Sequence, residues 1–372
     1  MNPKNASKLG IYLTGAGAVT SVGFSLPATV AAMRSGVDCF HETNFYDYVG
    51  EPIIGSSIAP LDDDEENQVG GSERAGLFLA LAIEEALIDA GVTTLKSAKL
   101  ILVAPEKFRP TSLPKDLASF TQIAVNDRLS ATGWDPADTR FQFGALQANG
   151  GSVGVCPALL DADKWLNDET GLDGDLANAV VVIASFDSWL NSQSIRHGLA
   201  EERFLVSDSS DGFVPGEAAS AIVIQRRPRE NDNRSLRIVG VGMAKEVASL
   251  ISDNNCIGVG MSEAMKFALS QSKIEAHEIH HRLTNVSGEE YFFSESAHAW
   301  ARVLRKELSP NYRYEIPASS IGEVGSAFGL LLLGYNHFLA RSGKSHGPNT
   351  LIQLSSADEF RGVVISSFVK HS

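Results

Sequence analysis

Short apolar runs rich in Val, Ile and Leu alternate along the chain with longer stretches whose apolar residues recur at helical spacing. Ile11 to Thr14 reads as a strand, followed by a glycine-punctuated turn, TGAGAVTSVG, from Thr14 to Gly23. Ser72 is placed to cap the helix SERAGLFLALAIEEALIDAG, which Gly91 closes. Its first half is apolar nearly all round, so it is predicted to be buried. Strand Leu100–Ala104, helix Leu117–Leu129, strand Arg140–Leu146, a helical segment to Leu166 and strands Ala179–Ser185 and Ala219–Gln225 complete this half. The polar stretch RRPRENDNRS, Arg226 to Ser235, reads as a linker, and then the order recurs. Strand Leu236–Val241, helix Met261–Ser270, strand Arg282–Val286, helix Glu295–Leu308, strand Tyr314–Ala318, helix Ser326–Ala340 and strands Thr350–Leu354 and Val363–Phe368 follow.

This is one βαβαβαββ unit written twice, with halves at 1–230 and 236–372 forming one pseudo-symmetric body. Strands alternating with helices imply mostly parallel sheets covered by helices, here two mixed sheets with helices sandwiched between them. At 372 residues, 44% of them hydrophobic and 20% charged, the chain can bury a large core. The balance of 31 Lys plus Arg against 45 Asp plus Glu, a net charge of −14, argues against a nucleic-acid partner. The acidic run DDDEE, Asp62 to Glu66, reads as a solvated loop. Cys39, Cys156 and Cys256 have no paired spacing, so neither a disulfide framework nor a thiolate metal cluster is expected. No cofactor and no metal are expected. The polar start lacks an export-signal pattern and no apolar run is long enough for a membrane span, which predicts a cytoplasmic protein without membrane attachment.

The order of elements, with TGAGAVTSVG at Thr14, the helix at Ser72, SSDGFVPGEAASAIVIQ from Ser209 to Gln225, LRIVGVGM at Leu236 and IPASSIGEVGSAFG at Ile316, resembles the β-ketoacyl synthase branch of the thiolase superfamily. The resemblance covers nearly the whole chain and implies the thiolase fold, a five-layered αβαβα arrangement. The shared glycines and small residues are explained by packing, and a fold does not fix a function.

Such synthases are similar in using a thiolate at the amino end of a central helix, two His and a supporting Lys. Placing the turn after TRFQFGAL on the family's elbow puts Asn149 where the Cys belongs, and an amide cannot attack. In that register Val153, Cys156, Leu159 and Leu160 recur at helical spacing and Cys156 is a core residue. In a rival register the helix starts at Pro157, leaving Cys156 at its N-cap with an activated thiol. The family's NAHGT corresponds to Asn285–Glu289, with Ser287 in the place of the His, and GHxxGAAG corresponds to Gly322–Gly329, with Glu323 in the place of the second. His280 and His281, near the start of the preceding strand, read as an exposed pair. No His occurs between Ala299 and Asn336 and no Lys between Glu307 and Gly343. The glycine-rich GFGGTN segment corresponds to Ala357–Gly362, ADEFRG, which has lost its flexibility.

These groups act as one unit in a condensing enzyme, so their joint replacement implies release from catalysis. A new hydrolytic site of Asn149, Ser287 and Glu323 lacks a His beside the Ser and is a weak alternative. The first expectation is therefore an inactive thiolase-fold scaffold or adaptor. DGFVPGE and SSIGEVG, and with them NVSGEEYFF and SSADEFRG, resemble segments of small thiolase-like proteins encoded beside type VI secretion components, which implies a role in effector handling. The second is a chain-length-factor-like partner of a ketosynthase in polyketide, polyene or fatty-acid assembly. The third is a condensing enzyme using Cys156. A homodimer or heterodimer with a related protein is implied, since such cores leave an edge strand for a partner. Arg302, Arg305 and Lys306, at i, i+3, i+4 spacing, form a small basic patch that either faces solvent or docks an acidic acyl carrier protein. Trp165 and Trp189 read as core or interface anchors and His197 as structural.

Overall fold

The computed structural model describes residues 9–59, 71–110, 116–141, 145–167, 179–228, 234–252 and 254–370. The DDDEE run and half of the polar stretch Arg226–Ser235, residues 229–233, lie outside these residues. The first half runs β1 (Ile11–Thr20), α1 (Leu26–Ser35), β2 (His41–Tyr46), β3 (Pro52–Gly55), α2 (Gly71–Ala90), β4 (Ala98–Ala104), α3 (Leu117–Ala131), β5 (Ala145–Asn149), α4 (Val155–Asn167), β6 (Val180–Ser188), α5 (Ser192–Ala200) and β7 (Glu217–Gln225). The second runs β8 (Arg234–Lys245), α6 (Val259–Ser272), β9 (His281–Thr284), α7 (Glu290–Val303), β10 (Arg313–Glu315), α8 (Ala318–Ile321), α9 (Ala327–Arg341), β11 (Asn349–Ser355) and β12 (Phe360–Lys370).

The strand order β10-β9-β11-β12-β8-β1-β7-β6-β4-β5 is the same five-strand arrangement twice. In each half the first strand ends the run, and the fifth, β7 or β12, lies antiparallel to both neighbours while the others pair in parallel. The two runs meet where Ile11–Leu13 of β1 pairs with Leu236–Ile238 of β8. Alternation along the strands divides the side chains between layers. Val181 and Ile183 of β6 enter a central core with α4 and α9, whereas Val180 and Val182 enter an outer core with α2 and α3. Likewise Ile352 and Val364 face the centre, and Leu351, Val363 and Ile365 pack on α6 and α7. The result is a five-layered αβαβα body with α4 and α9 in the middle layer. Leu330 to Leu333 of α9 are fully buried, each stabilising the fold by roughly 1.5–3 kcal/mol.

Gly15 and Gly17 of TGAGAVTSVG do not make the expected turn, because β1 continues through them to Thr20; the chain turns only at Thr20–Gly23, which exchange backbone hydrogen bonds at 2.8 and 3.2 Å. The two glycines serve a close helix approach instead. A Cβ on Gly15 or Gly17 would lie 2.2 Å from a carbonyl oxygen of α2, that of Ala86 or Ala82. Gly240 and Gly242 of β8 stand in the same relation to Ala268 and Ala264 of α6, at 2.4 and 2.0 Å. The duplicated topology is thus matched by a duplicated packing device. Other boundaries shift too: α2 begins at Gly71 rather than after Ser72, and α7 spans Glu290–Val303 rather than Glu295–Leu308.

Candidate functional site

Three segments quoted from distant parts of the sequence meet between the amino ends of α4 and α9. The Glu323 N–H donates to Val214 O at 2.8 Å and the Gly216 N–H to Glu323 O at 2.9 Å, which ties the DGFVPGE loop to the turn before α9. Phe213 is fully buried and packs edge-on against Trp189 and Phe204. Arg203 donates to both carboxylate oxygens of Glu289, at 2.8 and 2.9 Å, locking the same loop region to the start of α7.

The cavity they enclose has a volume of about 20 Å³ and is lined by Glu106, Ser152, Arg203, Asn285, Ser287 and Glu323, among others. That is room for about one water molecule. Its charges are answered from within the chain. Arg109, fully buried, pairs with Asp187 and with Glu106 (3.3 Å), and its guanidinium lies 4.3 Å from the centre of the Trp189 ring. Asp187 accepts from the Ser326 N–H at 2.7 Å and Ser326 Oγ at 3.1 Å at the amino end of α9. Burial pushes the Glu323 carboxyl up to about 8, although Ser287 and the Gly325 N–H at 2.7 Å hydrogen-bond it. Burial, with the nearby Asp187, raises Glu106 as well, and Glu106 in turn opposes the ionisation of Glu323.

The structure places the expected residues unevenly around this cavity. Ser287 and Glu323 line it. Asn149 ends β5, paired in register with Ala104 of β4. The strand expected at Arg140–Leu146 is β5 at Ala145–Asn149, and residues 142–144 lie outside the described set. Neither expected helix start is found. A 3-10 turn, Gly151–Gly154, leads into α4 at Val155, since the paired glycines do not favour a helix nucleus. Cys156 is the second residue of α4 and fully buried, with Sγ against Gly362 of β12. Burial pushes its thiol from the ordinary 9.0 up to about 12. It is not among the residues lining the cavity.

Ser152 stands at the elbow instead, its Oγ donating to Ser355 O (3.1 Å) and accepting from Asn285 Nδ2 (2.9 Å). Asn285 also bridges Ser355 through both ends of its amide, at 2.8 and 2.9 Å. The Ala357–Gly362 segment is braced by Arg361, which is fully buried and donates to Glu295 (2.6 Å), Ser356 O (2.8 Å) and Asp358 O (2.6 Å). His281 is fully buried, not exposed, because it begins β9 between β10 and β11. Glu106, Arg109, Asp187 and Arg203 were not legible as site residues. Of these only Asp187, in ASFDSWL, stands out as a charge among apolar and small residues.

Outside the cavity, Arg302, Arg305 and Lys306 face a groove of about 510 Å³ that also takes Lys266 of α6 and Lys273 just past its end. Lys306 pairs with Glu275 at 2.7 Å, while Arg305 donates to the last carbonyls of α7. Among the described residues, no helix is long and apolar enough to cross a membrane.

The duplicated sheet order, the two central helices and the cavity between their amino ends define the thiolase-like ketosynthase fold. No protein-family model matches the chain, and no curated protein matches it. Among solved structures, "The ishigamide ketosynthase/chain length factor" is 15% identical with a TM-score of 0.65, covering 97% of this chain and 99% of that one. AntDE:AntF, a type II PKS acyl-carrier protein in complex with its ketosynthase bound to the hexaketide, is 15% identical with a TM-score of 0.69, covering 97% and 100%. The ketosynthase ApeO in complex with its chain length factor ApeC, from Xenorhabdus doucetiae, is 12% identical with a TM-score of 0.64, covering 96% and 98%. These likenesses establish the fold over nearly the full length.

Proposed function

We propose that this chain is a non-condensing ketosynthase-fold subunit that works by binding other proteins, as a chain-length-factor-like partner of a ketosynthase. The observation that carries the reading is the cavity itself. Where the resemblance implies a thiolate and two imidazoles the cavity presents Ser152, Ser287 and Glu323, with Asn149 at the end of β5, and among the described residues its volume of about 20 Å³ has room for about one water beside the ion pairs, too little for an acyl chain. Cys156 is removed from the cavity by its position in α4 and from reactivity by burial. Neighbours of the same fold that contain a ketosynthase with a chain length factor favour pairing as the surviving role. The outer edge of β5 is the end of the sheet and is available for a related subunit. The basic groove beside α7 offers a surface for an acidic carrier protein. The secretion-linked adaptor role rests on the resemblance of the DGFVPGE, SSIGEVG, NVSGEEYFF and SSADEFRG segments and shares the non-condensing site.

Two measurements test this. Iodoacetamide at neutral pH is expected to modify exposed Cys39 and leave Cys156 untouched; rapid selective labelling of Cys156 would return the chain to the condensing enzymes. Affinity capture from the native host with native mass spectrometry is expected to recover a ketosynthase. Recovery of secretion components without one would replace the pairing role with the adaptor role.

A further inference from the structure

At the far end of the second half, three side chains from separate elements converge with no counterpart in the central cavity. His281 begins β9, Glu315 ends β10, and His346 lies in the loop between α9 and β11. One ligand atom from each lies within 4.8 Å of the others. His281 Nε2 is 3.2 Å from Glu315 Oε2, and His346 Nε2 is 3.3 Å from Glu315 Oε1. Ligands about 2.0–2.1 Å from a tetrahedral metal are separated by about 3.3 Å, so these spacings suit a shared ion.

The burial of His281 supplies a second, independent observation. Its side chain is fully excluded from solvent, yet neither ring nitrogen makes a well-formed hydrogen bond, the Nε2 contact to Glu315 included. An imidazole in that condition costs free energy unless something else binds it. Glu315 is oriented by Tyr335 of α9, whose hydroxyl donates to Oε2 at 2.7 Å, in the manner of an outer-shell partner. Glu315 and His346 keep side-chain exposures of 28% and 23%, which leaves an approach for the ion and for a water ligand. The other acid-rich cluster, Glu246, Cys256 and Glu295, is different: Glu295 is already committed to Arg361 and Ser355.

We propose that His281, Glu315 and His346 form a binding site for a divalent transition ion of the zinc class, with water completing the coordination. Two imidazoles and one carboxylate are a donor set suited to that class. The ion would tie β9 and β10 to the loop before β11. The unpartnered Nδ1 of His281 and the nearby Arg34 and Arg313 set the affinity below that of a fully supported structural site.

Full-length protein stripped with chelator and titrated with Co²⁺ is expected to bind one equivalent and to develop the visible absorption of tetrahedral cobalt, which Zn²⁺ displaces. His346→Ala, at a half-buried loop position, should weaken binding by about ten-fold or more while leaving the circular dichroism and metal-free melting curve unchanged. Glu315→Gln should do the same to binding. Absence of saturable binding by the wild type, or binding that His346→Ala leaves intact, would overturn the site and show a histidine–carboxylate contact only.

Discussion

The duplicated fold brings the amino ends of its two central helices to one cavity, and the chain treats the two ends differently. At α9, carboxylates meet the backbone: Asp187 accepts from Ser326 N–H and Glu323 from Gly325 N–H, with Arg109 balancing the first. At α4 the hydrogen bonds of the elbow run through neutral groups, Ser152, Asn285 and the Ser355 backbone. A helix end favours a nearby anion by up to about 2 kcal/mol. For Cys156 the balance runs the other way. Moving its thiol from 9.0 to about 12 corresponds to roughly 4 kcal/mol against the thiolate, more than the helix end supplies. The same scaffold therefore holds a charge-paired acid, Asp187 with Arg109, at one end and an inert thiol at the other.

The strongest break of this contrast is at the ion-paired end. Arg109→Met leaves Asp187 buried without its guanidinium and should destabilise the protein by about 3–5 kcal/mol in urea unfolding. Adding Asp187→Asn should recover much of the loss, because the unpaired charge goes with it. A loss below about 1 kcal/mol for the single variant would mean that the α9 donors hold the carboxylate unaided.

The next effect is a pH dependence. Glu323, raised from 4.5 to about 8, keeps its proton in the folded chain over a range where the unfolded chain has released it. Its contribution therefore favours folding at low pH, declines as pH rises from about 4.5 to about 8, and is level above that. Raised Glu106 acts with the same sign. Glu323→Gln keeps an oxygen for the Gly325 N–H and removes the titration. Relative to wild type it should gain a few kcal/mol between pH 5 and pH 8.5, read by denaturation at both values. Parallel behaviour of the two proteins would place the proton elsewhere.

Much of this architecture was readable because strand and helix periods differ and because the order of elements repeats. The apolar first half of α9 and the apolar first half of α2 announce burial directly. The weak points are local. FQF alternates like a strand and drew β5 five residues early, whereas the real strand, ALQAN, mixes polar residues into a sheet edge. Glycines at Gly15 and Gly17 read as a turn because spacing along a chain does not reveal a helix packed above it. At the site, Ser287 and Glu323 followed from motif position, but the ion pairs of Arg109 with Asp187 and Arg203 with Glu289 join residues too far apart in sequence for any periodicity to connect. His281 was misread for a similar reason: its neighbours on β10 and β11 bury it.

The smallest effect belongs to the neutral end. Cys156 contributes packing against Gly362 and Val153, so Cys156→Ala removes one sulfur's contacts and should cost about 1 kcal/mol. It should leave the pH profile set by Glu323 unchanged, since no charge at the cavity is altered. The same variant should retain any partner found by affinity capture, and any condensing activity of that complex should persist at the wild-type rate. Loss of turnover with folding intact would place this sulfur in the chemistry, and the two helix ends would then differ in timing of use rather than in kind.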